Sequence, residues 1–307
     1  MHTAITIDAL RVLDAIDRRG SFASAAQELF RVPSAISYTI QKLEDDLDVA
    51  IFDRSGHRAS LTPAGRYLLN EGRVLLEATD ALAHTTRQVA QGWETRLKIA
   101  FNTLLPAEAL FPVIRDFYGL GIPVEIQLIE EVFAGAWDAL QSRRADLVFG
   151  ADELSRPAGS FTTRVLGEIP FVYAAAPGHP LASRTHPLSE GDIAPWPAAV
   201  AADSSRDLPA GSAGIFRRQA TLTVSNIEQK IAVQEAGLAV GWLPEPRIRE
   251  QLRDGGLVSL AVVEPRQPII LHLARHTDDR GKALMWFWDQ LAQPERFQRW
   301  LRLMEQN

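Results

Sequence analysis

Residues 21–65 read SFASAAQELFRVPSAISYTIQKLEDDLDVAIFDRSGHRASLTPAG. This stretch predicts two short helices separated by a tight turn, followed by a β-wing and the start of a third helix. Ser21 can cap the first helix, because its hydroxyl accepts from free backbone N–H groups. Pro33 fits the first turn of the second helix, where its missing N–H costs little. This order of elements is that of a winged helix-turn-helix, a fold that reads duplex DNA.

The second helix of this stretch has two distinct faces. Four apolar residues recur at helical spacing and are expected to face the core: Ile36, Ile40, Leu43 and Leu47. The opposite face carries side chains that can reach phosphates and base edges. These are Ser34, Ser37, Tyr38, Gln41 and Lys42. We therefore predict that this helix is the recognition helix.

The segments on either side of the recognition helix carry further expectations. Leu29 and Phe30 are expected to close the apolar face of the preceding helix, and Phe52 is expected to be buried below the wing. Wing cations commonly meet phosphates, which sets affinity but not sequence preference. The cations around the expected turn at Gly56 are Arg54, His57 and Arg58.

The complete pattern is more informative than any one helix. Taken alone, each helix favours a plain amphipathic segment whose polar face is only solvated, whereas the ordered pattern favours DNA binding. Residues 8–66 resemble the DNA-binding domain of LysR-type transcriptional regulators. The matching motifs are the helix from Leu10 to Ile16, SFASAAQEL, AISYTIQKLED, IFDRSG and LTPAG. The length and the order of segments extend this resemblance over the whole chain.

The recognition helix departs from the family pattern at two places. Val32 and Pro33 stand where family members often have a polar pair, and Tyr38 follows Ser37 where many members have Arg. Both family positions are used to read bases. We therefore expect Tyr38, Gln41, DNA shape and the wing to contribute more to the recognition of the DNA sequence than they do in typical family members.

Length and composition limit the class of protein. The 307 residues exceed what one compact core usually supports, so two or three domains are expected. The chain has no cysteine, which excludes disulfides and thiolate metal sites. Its net charge of -6 is unusual for a DNA-binding protein, although DNA binding needs only local cations. The start of the chain lacks the pattern of an export signal and no stretch is long enough for a membrane helix, which fits a cytoplasmic protein. The resemblance implies a bacterial protein associated with the nucleoid.

Residues 63–92 predict one long helix, with Thr62 as its N-cap. Apolar residues lie seven apart, which is typical of a helix that pairs with another helix: Leu61, Leu68, Leu75, Leu82 and Val89. Packing on its own domain is the alternative, but a helix of about thirty residues spans ~45 Å, too long for a small domain to cover. The resemblance implies an antiparallel dimerisation helix.

From residue 93 onward, strands alternate with helices, which favours an α/β fold with a parallel sheet. Crossovers near residues 162–166 and 262–268 predict two lobes, the first formed by about 93–163 and 267–307 and the second by about 164–266. The resemblance implies a two-lobed effector domain of the type 2 periplasmic-binding-protein-like fold. Residues 1–62 would then be the DNA-binding domain and 63–92 the linker.

Ligands of open α/β sheets bind beyond the carboxyl ends of the strands and near helix N-termini. The loops at these places supply the candidate effector-binding residues, for which a plain helix cap is the alternative: Asn102, Thr103, Leu104, Glu131, Phe133, Asp203, Ser225 and Asn226. Phe149, Phe171 and Trp242, together with Phe133, could add an aromatic wall, although each alone is more typical of a core. If Glu131 faces the cleft, its charge disfavours an anionic ligand, so we expect a small aromatic or largely apolar effector.

The sequence contains none of the common catalytic or nucleotide-binding motifs, and its histidines are scattered, so no catalytic residue, metal or cofactor is expected. A solute-binding receptor or an enzyme could use the same two lobes, but a receptor has no use for residues 1–92. The resemblance implies promoter DNA, a small-molecule effector, RNA polymerase and further copies of the chain, as a dimer or a tetramer, as partners. No membrane partner is expected.

Overall fold

Three helices joined by tight turns open the computed structural model, which describes residues 5–54, 60–209, 211, 214–297 and 301. They are α1 (Ile7–Arg19), α2 (Phe22–Glu28) and α3 (Pro33–Leu47). The hydroxyl of Ser21 caps α2 by accepting from the Ser24 N–H at 3.1 Å, and Pro33 is the first residue of α3. Both predicted helix starts are therefore confirmed.

The wing and the long helix follow. β1 (Phe52–Asp53) pairs antiparallel with β2 (Ser60–Leu61), and α4 runs over Pro63–Ala90. Thr62 caps α4, because its hydroxyl accepts from the Gly65 N–H at 2.9 Å. The predicted turn at Gly56, with His57 and Arg58, lies outside the described residues.

The core of the unit Met1–Gln91 is formed by the facing sides of α1, α2, α3 and the start of α4. The predicted core residues Ile36, Ile40, Leu43 and Phe52 are buried. Phe30 is the exception, since its side chain is 96% exposed. Its φ of 55° is left-handed, because the chain leaves α2 through a tight turn there, and this turn directs Phe30 away from the core that Leu29 helps to close. The prediction for Phe30 was wrong.

Ion pairs bind α1 to the neighbouring helices. Arg73 of α4 bonds to Asp14 at 2.8 Å and to Asp17 at 2.9 Å, both on α1. Arg18 pairs with Asp14 on its own helix and with Glu28 at the end of α2. Because these acidic side chains are neutralised within the unit, they contribute less repulsion toward an approaching polyanion than their number in the sequence indicates.

Two glycines let α4 approach its neighbours closely. A Cβ at Gly65 would lie 2.2 Å from the backbone oxygen of Ile51, next to the wing. A Cβ at Gly72 would lie 2.8 Å from a methyl carbon of Leu10 on α1. The contact at Gly65 is with backbone, which cannot move aside without disturbing the Thr62 N–H bond to the same oxygen at 3.0 Å.

The unit Gly92–Asn307 is an α/β structure. Its strands are β3 (Arg96–Asn102), β4 (Glu125–Glu131), β5 (Leu147–Asp152), β6 (Phe161–Ile169), β7 (Phe171–Ala175), β8 (Ala198–Ala201), β9 (Thr221–Val224), β10 (Gly241–Pro244), β11 (Val258–Leu260) and β12 (Ile269–His276). Its helices are α5 (Phe111–Tyr118), α6 (Gly135–Gln141), α7 (Glu190–Ile193), α8 (Ile227–Glu235), α9 (Arg249–Asp254) and α10 (Lys282–Leu291).

These strands form two lobes. The first lobe has a five-stranded sheet in the order β4-β3-β5-β12-β6, in which β3 is parallel to β4 and β5 while β12 is antiparallel to β5 and β6. The second lobe contains the sheet β10-β7-β11 and the parallel pair β8-β9. β6 pairs with β12 along its whole length, so the first sheet reaches Ile169 and does not end near residue 163 as the sequence predicted. The first crossover segment, which was predicted as a strand joining the two lobes, is thus a strand of the first sheet over its whole length.

No helix in the described parts of the chain combines the length and the apolar character needed to cross a bilayer.

We expect Gly65→Ala to destabilise the unit Met1–Gln91 by about 1–3 kcal/mol, the usual cost of forcing extra atoms into a packed contact. Gly72→Ala is the matched control. Its added carbon meets a flexible Leu10 methyl, and alanine gains up to about 1 kcal/mol of helix propensity, so its effect is expected to be small. Hydrogen exchange of α1 and α4 peptides in the full chain measures both. Equal protection in Gly65→Ala and the parent protein would contradict the close-packing argument.

Candidate functional site

The outer face of α3 is exposed along its length. All five predicted recognition residues, Ser34, Ser37, Tyr38, Gln41 and Lys42, lie on this face and are exposed to solvent. Tyr38 keeps 69% of its surface accessible. Ile36 and Ile40 on the inner face are fully buried, which fixes the rotation of α3 about its axis. The burial of one face thus determines which side chains α3 presents.

Glu44 connects α3 to the wing. One of its carboxylate oxygens accepts from the backbone N–H groups of Ile51 at 2.7 Å and Phe52 at 3.0 Å. The other oxygen pairs with Arg54 at 3.0 Å. Arg54 also donates to the side-chain oxygen of Gln41 at 3.3 Å. The predicted wing cation is therefore held against α3, with half of its side-chain surface still accessible.

An apolar patch lies beside the start of α3. Phe30, Val32 and Tyr38 are all exposed large side chains. Apolar side chains in the major groove can contact the methyl group of thymine. The exposure of Phe30 was missed from the sequence, because an apolar residue at the end of a helix is most often a core residue.

The predicted dimerisation face of α4 is largely exposed. Leu75, Leu82 and Val89 have between 51% and 68% of their surface accessible. Leu68 differs, because it is half-buried and packs on the core of its own unit. The seven-residue spacing therefore gives an apolar stripe on the second half of α4.

A cavity of about 240 Å³ lies between the two lobes of the unit Gly92–Asn307. Five predicted effector residues line it: Asn102, Thr103, Leu104, Phe133 and Trp242. Phe171, which was predicted for the aromatic wall, also lines it, and most of the other lining side chains are apolar, among them Ile227 and Ile269. The volume lies just below the ~300–1,000 Å³ typical of small-molecule sites, which limits a ligand to about one ring.

The other predicted effector residues are engaged elsewhere. Phe149 is buried in the core of the first lobe. Glu131 is 3% exposed and bonds to Arg144 and Ser204, so its charge is compensated and does not enter the cavity. The expectation that Glu131 disfavours an anionic ligand therefore loses its basis.

Asp203, Ser225 and Asn226 have structural contacts. Asp203 accepts from the Ser205 N–H at 2.8 Å and from the Ala134 N–H of the other lobe at 3.3 Å. Asn226 caps α8, and the backbone N–H of Ser225 donates to Gln229 at 2.9 Å. These residues lie at the predicted loops but are not lining residues of the cavity, so the alternative of a helix cap holds for Asn226.

The cavity also has charged lining residues that the sequence did not indicate: Asp152, Lys230 and Arg266. Burial, with a smaller contribution from the charge of Arg266, lowers the pKa of Lys230 to about 7. Burial also raises the pKa of Asp152. Lys230 was missed because a lysine within an ordinary helical pattern predicts a solvated side chain, and only the packing of the two lobes buries it. Among the described residues, no group of three or more His, Asp or Glu could hold a metal ion.

Two family models match the chain. One, described as a bacterial regulatory helix-turn-helix protein of the lysR family, matches residues 7–66. The other, described as a LysR substrate binding domain, matches residues 90–294. Together they cover both units of the chain.

Relatives and solved structures of the same kind match over almost the full length. The probable HTH-type transcriptional regulator YhaJ of Escherichia coli K12 is 44% identical over 285 residues, which cover 92% of this chain and 94% of the relative. The regulator PunR of the same organism is 35% identical over 298 residues, covering 97% and 96%. The structure of a Corynebacterium glutamicum OxyR C206 mutant has a TM-score of 0.60 at 18% identity, covering 98% of this chain and 96% of its own, and supports the fold alone.

We expect Arg54→Ala to weaken binding to all DNA sequences, by about tenfold at low salt, and to reduce the slope of log affinity against log salt by about 0.9. The substitution removes a cation beside the phosphates and leaves Glu44 without its partner. Arg87→Ala is the control, because it removes the same charge near the far end of α4, about 36 Å along the helix from Pro63. Salt titrations of fluorescence anisotropy on promoter and random duplexes measure the effect. An unchanged slope in Arg54→Ala would contradict the wing assignment.

Proposed function

The chain belongs to the LysR-type family of transcriptional regulators, and we propose which of its surfaces bind DNA, a second copy of the chain and the effector. It is a DNA-binding transcription regulator with an effector-binding domain, and it is not an enzyme. We assign DNA binding to residues 1–62, dimerisation to 63–92 and effector binding to 93–307. The cytoplasm, in association with the nucleoid, is the proposed location.

DNA recognition is assigned to the outer face of α3. The observation that carries the proposal is the position of the five exposed side chains on one face of a helix whose other face is buried. Ser37, Tyr38 and Gln41 are proposed to reach base edges in the major groove, while Ser34, Lys42 and Arg54 meet phosphates. His57 and Arg58 are proposed to add phosphate contacts from the wing.

Dimerisation is assigned to the exposed stripe on α4. An apolar stripe of this length on a helix of 28 residues favours pairing with an identical helix. A two-fold dimer presents two copies of α3 to a symmetric DNA site, and linking two binding events raises the affinity for DNA. This matters for a chain with a net charge of -6, since we expect one unit alone to bind DNA weakly. Further association into a tetramer, and contact with RNA polymerase, belong to the same proposal.

Effector binding is assigned to the cavity between the lobes. Contacts that bridge the lobes surround it, such as the Ile227 N–H that donates to the Thr103 hydroxyl at 3.2 Å and the Val132 N–H that donates to the Ser204 hydroxyl at 2.8 Å. A ligand that fits one arrangement of the lobes better than another shifts the population toward that arrangement. By linkage, the same ligand changes the affinity for DNA only to the extent that the two arrangements bind DNA differently.

We expect Leu75→Glu to weaken dimerisation by at least about 100-fold. Burying one Leu contributes about 1.5–3 kcal/mol, and a symmetric dimer loses this at two copies. His84→Glu adds a charge on the opposite side of α4 and is expected to leave the dimer intact. Analytical ultracentrifugation over a concentration series measures both variants. A fully dimeric Leu75→Glu protein would refute the assignment of the stripe.

The regulatory function is tested by the affinity of the purified full chain for the DNA upstream of its own gene. We expect at least a ~1,000-fold preference over random duplex at physiological salt, and a footprint with two related half-sites about one helical turn or a multiple apart. Tyr38→Ala is expected to reduce this preference, while nonspecific affinity changes little. Equal affinity for promoter and random duplex would contradict the proposal.

A further inference from the structure

Two cations and one carboxylate line the proposed effector cavity without a charged partner for their functional atoms. Lys230, on α8 in the second lobe, is only 6% exposed. Within the described part of the chain, its ammonium group has no recorded hydrogen bond or ion pair. Burying an ammonium without a partner costs free energy that hydrophobic packing does not return. Such a group therefore indicates a ligand that supplies the missing partner of the ammonium group.

Arg266 stands beside Lys230 in the same cavity. Its charge contributes to the lowered pKa of Lys230, which means that the two cations are close enough to repel each other. The guanidinium of Arg266 lies 4.0 Å from the centre of the Phe171 ring and has no recorded carboxylate partner among the described residues. Two adjacent cations in a mostly apolar cavity favour an anion, and a planar guanidinium matches a carboxylate through two parallel hydrogen bonds.

Asp152 lines the cavity from the first lobe, at the end of β5. One of its carboxylate oxygens accepts from the Ser155 N–H at 2.8 Å, while the other is buried without a hydrogen-bond partner. An unpaired acceptor of this kind requires a donor such as a hydroxyl or an amino group. The polar requirements of the cavity therefore differ between the lobes, with an anion required on one side and a donor on the other.

The walls between these groups are aromatic and aliphatic. Phe133, Phe171 and Trp242 line the cavity together with Leu104, Ile227 and Ile269. Such walls fit a ring, and the volume of about 240 Å³ fits one ring with small substituents. A ring with an anionic group at one end and a hydrogen-bond donor at the other would bridge the lobes, because the anion faces Lys230 and the donor faces Asp152.

We propose that the cavity binds a single-ring aromatic monocarboxylate that carries a hydroxyl or amino group, with the carboxylate on Lys230 and Arg266 and the donor on Asp152. This inference rests on the proposed assignment of the cavity as the effector site, and it names the class of effector. It replaces the expectation that an anionic ligand is disfavoured, which depended on Glu131.

The proposed contact makes binding depend on pH. With a pKa of about 7 in the empty cavity, Lys230 is mostly charged at pH 6 and mostly neutral at pH 8.5. A bound carboxylate favours the charged form, so binding takes up a proton above pH 7. If the bound form stays protonated, affinity falls roughly 30-fold between pH 6 and 8.5. Over this interval 4-hydroxybenzoate remains a monoanion, since carboxyl groups titrate near pH ~4 and phenols near pH ~10.

The groups that surround Lys230 support the view that the proton taken up on binding goes to the Lys230 amine. The strands packed against α8 are β7, β8 and β10, and they carry no Asp, Glu, Lys, Arg or His. Tyr173 of β7 stays neutral, because burial raises its pKa. Arg266 stays charged, and Asp152, whose pKa is raised by burial, is the remaining acid–base group among the described residues that line the cavity.

The experiment is isothermal titration calorimetry on the full chain, with 4-hydroxybenzoate as the probe and 4-hydroxybenzamide as its neutral counterpart. We expect the acid to bind at least tenfold more tightly than the amide at pH 6.5, and its affinity to fall as pH rises to 8.5. In Lys230→Met the acid loses at least tenfold in affinity and its pH dependence, while the amide is unaffected. Arg217→Met, which removes an exposed charge outside the cavity, is the control and behaves as the parent protein.

Further variants distinguish loss of the ligand contact from loss of the fold. Lys230→Met is expected to raise the melting temperature of the ligand-free protein, because a buried charge is removed, and this shows that the variant is folded. Lys230→Arg is expected to retain binding without the pH dependence. In Asp152→Asn the advantage of 4-hydroxybenzoate over benzoate is expected to shrink.

Two results would overturn the inference. One is equal affinity of the parent protein for the acid and the amide. The other is parent-like binding of the acid to Lys230→Met. Neither result would contradict the proposed regulatory function, which is measured separately by the preference for promoter DNA. Loss of that preference with carboxylate binding intact would instead contradict the proposed function alone.

Discussion

One carboxylate, Glu44, joins the proposed recognition helix α3 to the base of the wing. It accepts from two backbone N–H groups at the base of the wing and pairs with Arg54 on its outer side. Hydrogen bonds to charged groups contribute about 1.5–3 kcal/mol each when the partners are held in place. With α3 fixed in rotation by its buried face, this contact holds the base of the wing against the helix. The proposed DNA recognition by both elements at once depends on that constraint.

Part of the acidic composition of this region is neutralised within the fold. Glu44 is used inside the fold, and Asp14, Asp17 and Glu28 are paired with arginines of α1 and α4. A count of charges in the sequence treats all of these groups as free. In the structure, the exposed face of α3 presents Lys42 beside the accessible part of Arg54, while Asp45 and Asp46 of the same helix also remain exposed. The charge of the surface that DNA is proposed to contact therefore differs from the net charge of the whole chain.

The winged helix-turn-helix could be predicted because its signals are local. Capping by Ser21 and Thr62 and the spacing of Ile36, Ile40 and Leu43 depend on neighbouring residues, and the structure has them as expected. Phe30 was misassigned because its exposure follows from a left-handed turn that hydrophobic periodicity does not encode. In the cavity, the predicted loops supplied Asn102, Thr103 and Phe133, since strand ends can be located from sequence. Lys230, Arg266 and Asp152 could not be predicted, because their burial results from the packing of two lobes that are distant in sequence.

The central claim is that the outer face of α3 reads the bases of duplex DNA, and site-specific photocrosslinking tests it most directly. A photoreactive phenylalanine analogue placed at Tyr38 of the full chain is predicted to crosslink to bases within the promoter site, and promoter duplex, but not random duplex, should compete. The same analogue at His84 on α4 should give no such product. The account would be contradicted if no crosslink formed at position 38, or if random duplex competed as well as promoter duplex.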